Sequence, residues 1–220
     1  MSLKFTNPVV CNNSIMDEDG RNELHRAVIA RDLGAVTELV AVVSTDLILA
    51  KDPTGLTPLH LSCLLGDAEI CQKLLQAVPT STPISQLRNN NGRTPLHCAL
   101  AKQRYALVPI LLEWRAQLAN ATDNNGWTAV HLAASVGAPV SVLRELVESG
   151  GDVRIPDKQG CTAGVIATQD EHPEVVKYLL DLGREMKWLW WKDEVDGKCA
   201  VDYVKSEGMR RTYKEFLESI

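Results

Sequence analysis

Residues 55–63 read GLTPLHLSC and residues 92–100 read GRTPLHCAL. Altered forms of the phrase stand at 20–28 (GRNELHRAV), 126–134 (GWTAVHLAA), 160–168 (GCTAGVIAT) and 197–205 (GKCAVDYVK). Their leading glycines are 35, 37, 34, 34 and 37 residues apart, so one unit is repeated six times. A period of this size marks a solenoid, in which each unit buries its apolar face only against its neighbours.

The chemistry of each copy sets its local structure. Asp52, Asn89, Asp123 and Asp157 precede the glycine by a few residues, and both residue types favour turns. Thr57, Thr94, Thr128 and Thr162 then stand where a helix N-cap belongs. Pro58 and Pro95 follow at the first helical position, where no N–H is needed. A short helix of about nine residues is expected next, ended by a glycine such as Gly66 or Gly137. Stretches such as EICQKLLQAV and VSVLRELVESG carry the apolar spacing of a second helix.

On these residues the chain resembles the ankyrin repeat family, from about Asp17 to Ile220, with TPLH intact at Thr57–His60 and Thr94–His97. The resemblance implies an all-α repeat solenoid: stacked helix pairs with short β-hairpin tips and a concave face built from the tips and first helices. About six repeats are expected, caps included, at 17–50, 51–88, 89–122, 123–156, 157–192 and 193–220, after a poorly ordered extension over 1–16. It also implies that His25, His60, His97 and His131 hydrogen-bond at the junction of tip and helix. These histidines recur one per repeat and cannot converge on one ion, so no metal is expected. His172, between two helices, is read as structural as well.

Departures from the pattern are informative. Asn22, Glu23 and Arg26 in the first copy suit an N-terminal cap with a polar outer face. Gly164 and Val165 replace Leu-His in the fifth copy and should weaken its helix. Asp202 stands in place of His in the sixth, and MRRTYKEFLESI reads as a closing amphipathic helix. The segment Ala77–Arg88 is longer than the family norm and reads as a polar surface loop. A second long connection holds Trp188, Trp190 and Trp191; these either pack beneath the C-terminal cap or project as an anchor for a partner.

Composition narrows the function. Across 220 residues, 45% are hydrophobic and 23% charged, as in a globular protein, and the net charge of −5 argues against a general nucleic-acid binder. No apolar run reaches the ~18 residues of a membrane span. The first residues turn acidic early, unlike a secretory leader, and the six cysteines form no CxxC pair, so a reduced cytoplasmic setting, with the nucleus as a second site, is expected. Asn12 and Asn120 match the glycosylation pattern but lack that secretory context. Phosphate-binding, zinc-protease and nucleophile-elbow motifs are absent in any supporting context, so neither catalytic residues nor a cofactor are expected. Asp17-Glu18-Asp19 falls in the register of a tip, and Cys63 and Cys98 at small core positions of first helices.

The function expected is non-enzymatic binding of one or more partner proteins, by a chain monomeric when alone. The role is that of an assembly chaperone, an adaptor or a regulatory inhibitor; the alternatives are a microbial effector adaptor and an enzyme or nucleic-acid-binding subunit. Carried over from the family, the partner-facing positions are Leu56, Leu64, Leu65, Asn91, Arg93, Lys102, Asn125 and Trp127, to which Trp188, Trp190 and Trp191 are added. From Lys73 to Arg115 there are six basic residues and one acid, Glu113, so an acidic segment of the partner is expected at this basic centre.

Overall fold

Thr57 sits in extended backbone and its side chain accepts from the His60 N–H, so Pro58 can open a helix without leaving a donor stranded. The helix ends at Gly66, whose φ of 80° suits the left-handed cap of its last turn. Asp67 then caps the next helix by accepting from the Ile70 N–H at 3.1 Å. This helix–turn–helix unit generates most of the molecule, with an aspartate cap on the second helix at Asp32 and Asp67. The computed structural model describes residues 16–185 and 204–218.

The helices are α1 (Glu23–Ile29), α2 (Leu33–Val42), the single turn α3 (Thr45–Ile48), α4 (Pro58–Leu65), α5 (Ala68–Ala77), α6 (Pro95–Ala101), α7 (Val108–Trp114), α8 (Ala129–Ser135), α9 (Val140–Glu148), α10 (Ala163–Gln169), α11 (Pro173–Glu185) and α12 (Glu207–Glu218). They stack in two rows: α1, α4, α6, α8 and α10 form one, and the second helices of the pairs form the other. First helices lie between two neighbours and are buried almost all round; Ala129 to Ala134 of α8 are buried without a break. Second helices are amphipathic, α9 burying Val142, Leu143 and Leu146 on one face. The solenoid expected from the sequence is thus the architecture found.

The tips are tight hairpin turns, and no strand occurs among the described residues. The Asp52 N–H donates to the Leu56 carbonyl at 2.9 Å, while Asp52 Oδ1 accepts from the N–H groups of Thr54 and Leu56. Asp17, Asn89, Asp123 and Asp157 close their turns through the same pair of side-chain bonds, which places the acidic run 17–19 in a tip as expected. Successive tips are tied through backbone: Asn90 N–H to Thr54 O at 3.3 Å, Asn124 N–H to Asn91 O at 3.0 Å and Lys158 N–H to Asn125 O at 3.0 Å. At Gly55, with φ of 79°, a Cβ would collide with Asn90 of the next tip, so both conformation and close approach require glycine.

The segment 77–88 is more fastened than a polar surface loop. Ile84–Leu87 forms a 3-10 turn that inserts Leu87, fully buried, into the core. Arg115, at the end of α7, donates to the carbonyls of Pro79, Thr80 and Thr82.

The ends of the stack differ. Glu23 and Arg26 are exposed on α1 as a cap requires, yet Ile29 and Val42 remain 42% and 67% exposed. At the other end α12 lays Met209, Tyr213 and Phe216 against α11, and Tyr213 Oη meets Thr168 Oγ1 at 2.6 Å. Trp188, Trp190, Trp191 and Asp202 lie outside the described residues.

Gly164 lies buried inside α10, where glycine lowers helix stability by ~1 kcal/mol against alanine, and Val165 replaces the junction histidine. In a linear array the weakest unit opens first. Amide hydrogens from Thr162 onward are therefore expected to exchange before those of 57–75. Equal or greater protection in the later tract, measured by mass spectrometry, would contradict this.

Candidate protein-binding surface

The presented surface is set by how each first helix grips the tip after it. The Thr57 N–H donates to His60 Nδ1 at 3.2 Å, and the Thr57 hydroxyl lies 2.9 Å from the same nitrogen. Because Nδ1 accepts, the ring proton sits on Nε2, which donates to the Arg93 carbonyl at 3.0 Å. His97 reaches Trp127 O at 2.9 Å, His131 reaches Cys161 O at 3.2 Å and His25 reaches Leu56 O at 3.0 Å. Each acceptor immediately follows the glycine of the next tip. Burial pushes His60 and His97 down to about 4, despite the carbonyl each one faces, and lowers His25 and His131 as well. His60, His97 and His131 are thus neutral struts at the junctions the resemblance implied, while at His25 the Nδ1 partner is Asn22 Oδ1, at 2.6 Å.

The residue after the tip glycine has a further task. Arg21 Nε lies 3.7 Å from Asp52 of the next tip, Arg93 Nε 3.5 Å from Asp123, and Trp127 Nε1 donates to Asp157 Oδ2 at 3.0 Å. Where the next tip carries neutral Asn89 instead, this position is Leu56. At three tips a donor in this position meets the carboxylate of the next, so the position joins neighbouring tips. Arg93 and Trp127 are both half-buried. Asn91 and Asn125 are exposed on adjoining turns. Leu64 and Leu65, half-buried, end α4, and exposed Lys102 caps the stacked helix α6.

Arginines outside the expected partner-facing positions also link neighbouring units. Arg31 donates to Leu65 O at 3.0 Å and Arg104 to Leu64 O at 3.4 Å, so guanidiniums from both neighbouring pairs meet the carbonyl end of α4. His172 Nε2 does the same for Ser135 O at 2.8 Å. Arg88 bonds the carbonyls of Gly92 and Thr122. The available signal was spacing, since most of these donors lie about one repeat from their acceptors. Of the six basic residues of the centre, the four arginines thus contact oxygens of the protein itself, and Lys102 stands exposed.

Among the described residues no three side chains of metal-ligating type converge. Cys63, Cys71, Cys98 and Cys161 are buried, Cys63 and Cys98 in first helices as expected. Asn120 donates to Gly150 O at 2.7 Å and accepts from the Asp152 N–H at 2.8 Å, so its amide has a structural role. None of the described helices is long and apolar enough to cross a membrane.

Stacked helix pairs, locked by buried imidazoles and edged by a row of interlinked turns, define a repeat solenoid with an extended surface. The chain belongs to the ankyrin repeat family: the sequence profile described as "Ankyrin repeats (3 copies)" matches residues 24–119 and 115–187. It is similar to NF-kappa-B inhibitor alpha of Sus scrofa, 34% identical over 145 residues, covering 63% of this chain and 45% of that protein. It is 29% identical over 166 residues to a Transient receptor potential cation channel subfamily A member 1 homolog of Caenorhabditis elegans, covering 76% of this chain and 13% of that protein. The Nuclear factor NF-kappa-B p105 subunit of Gallus gallus is 26% identical over 174 residues, covering 76% of this chain and 17% of that protein. The chain therefore spans less than half the length of each of these relatives.

The struts make stability depend on pH. His60 and His97 titrate near 4 in the fold against an ordinary 6.5, so the unfolded chain binds more protons between those values. Stability is complete above about pH 6.5 and falls as pH drops towards 4, by on the order of 3 kcal/mol for each ring. The urea midpoint should follow that course, and NMR at about pH 5.5 should show both rings neutral with the proton on Nε2. A charged imidazole at either position in folded protein at that pH would overturn the assignment.

Proposed function

We propose that this chain holds a partner protein against the concave face formed by its tips and first-helix ends, and acts as a regulatory inhibitor of that partner. The observation that carries the reading is the division of labour on this face. Backbone carbonyls and tip carboxylates take the bonds that hold the stack, while Asn91 and Asn125 on the tips and Lys102 after α6 are exposed and Leu64 and Leu65 are half-buried. An apolar centre with a polar, charged rim is the usual composition of a protein interface. The same face would serve an assembly chaperone or an adaptor. Inhibition is favoured by the likeness to a protein named as an inhibitor, NF-kappa-B inhibitor alpha.

The partner segment is acidic, drawn to Lys102 with Arg104 beside it. The chain acts as a monomer in the cytoplasm or nucleus, with repeats bounded as the glycine period divides them, and Trp188, Trp190 and Trp191 give a second anchoring point. Arg93 is left intact in the test, because a Glu there would face the buried Asp123 and disturb the tip.

The double variant Leu65→Arg/Lys102→Glu is compared with wild type and with Lys177→Glu, an exposed change on α11. Affinity capture with quantitative mass spectrometry should find a protein held by wild type and Lys177→Glu and reduced at least about tenfold in the double variant, equivalent to about 1.4 kcal/mol. Equal recovery by all three, with unchanged circular dichroism, would move the interface off this face.

A further inference from the structure

Cys63 of α4 and Cys71 of α5 bring their sulfurs to 3.9 Å in the core, both fully buried. The same two positions recur in every helix pair. Counted from the tip glycine and the turn between helices, they are Val28 and Val36 in the first pair, Leu100 and Val108 in the third, Ala134 and Val142 in the fourth, and Thr168 and Val176 in the fifth. All of these are buried. Packing alone is met by an aliphatic pair at three of the five places and by Thr-Val at another, so nothing in the fold demands two thiols in the second.

We propose that Cys63 and Cys71 are a modification site, a dithiol that closes reversibly to an intramolecular disulfide tying α4 to α5. The S–S bond length is about 2.05 Å, so closure needs the sulfurs to approach by side-chain rotation across two adjoining helices. The oxidant is hydrogen peroxide, admitted when the α4–α5 pair opens locally at its Gly66–Asp67 turn. Cys71 reacts first: the hydrogen bond between the two sulfurs holds its thiol below the usual range, while burial pushes the Cys63 thiol up. The Cys71 thiolate attacks one peroxide oxygen, the O–O bond breaks, and the departing hydroxide becomes water, leaving a sulfenic acid. The Cys63 sulfur then attacks the Cys71 sulfur. The S–O bond breaks, and the oxygen leaves as a second water with the hydroxyl hydrogen and the Cys63 proton. Two thiols lose two hydrogens and two electrons, and one peroxide becomes two waters. Thiol exchange with a small dithiol reverses the bond.

The test uses the full chain carrying Cys11→Ser and Cys199→Ser, treated with hydrogen peroxide, alkylated and digested with trypsin. Residues 52–73 contain no Lys or Arg before Lys73, so both cysteines fall on one peptide. Closure makes that peptide about 2 Da lighter and unreactive to alkylation until dithiothreitol is added. The melting temperature of the oxidised protein should rise by about 4 °C or more. Cys71→Val, which installs the residue found in the other four pairs, and Cys63→Ala, which matches Ala134, should fold by circular dichroism and lose both effects. Recovery of the peptide alkylated at both cysteines, its oxidation to sulfinic or sulfonic acid, or a cross-link from Cys63 to Cys98 would each overturn the proposal.

Discussion

One contact recurs through the molecule and constrains the rest: a neutral imidazole bridging the threonine that starts its own helix and a carbonyl of the next tip. Each end of the ring specifies its partner. Nδ1 must meet a donor, which the N–H and hydroxyl of Thr57, Thr94 and Thr128 supply. Nε2 must meet an acceptor, and the carbonyl after the next tip glycine fills that role for His60, His97 and His131. The bond is dry, so a missing partner would carry the full penalty of a buried polar group. Helix start, tip conformation and repeat spacing are therefore fixed together.

That coupling explains what could be read from the chain. The period, the Thr caps, the Pro starts and the glycine turns are local requirements of each repeat, and local requirements leave marks at fixed spacing. They led to the solenoid and to the structural role of the histidines. The interface residues were less legible, because the position after the tip glycine looks variable within a single repeat. Its identity is set one repeat away: Arg93 answers Asp123, Trp127 answers Asp157, and Leu56 is found where Asn89 replaces the carboxylate. The loop 77–88 misled for the same reason. Its polar sequence suggested a solvated excursion, while Arg115, 33 residues beyond Thr82, supplies the donors that fasten it.

Charge counting along the chain was also a partial guide. The basic centre is present in sequence, yet Arg88, Arg104 and Arg115 lie against backbone carbonyls and Arg93 against a carboxylate. Guanidinium groups keep their charge while donating, so the region remains electropositive, but these side chains are held in place. Lys102 is exposed and Leu64 and Leu65 stay half-buried. The proposed contact is thus a small set of presented groups on a rigid frame, an arrangement that limits the side-chain ordering needed on association.

The linked tips also set which changes of length the gene can absorb. From tip to junction histidine, every backbone step is measured against the neighbouring repeat, since Asn124 bonds Asn91 as His97 bonds Trp127. One residue added between Gly92 and His97 would break both registers at once. Duplication or loss of a whole unit of 34 to 37 residues would remake the tip-to-tip backbone bonds and the histidine bonds with a new neighbour, because donor and acceptor travel together. Small insertions are tolerated elsewhere, after the second helix, where 77–88 already departs from the period. A lineage of this protein is expected to vary by whole repeats and by the length of such connections, with the spacing from glycine to histidine held constant.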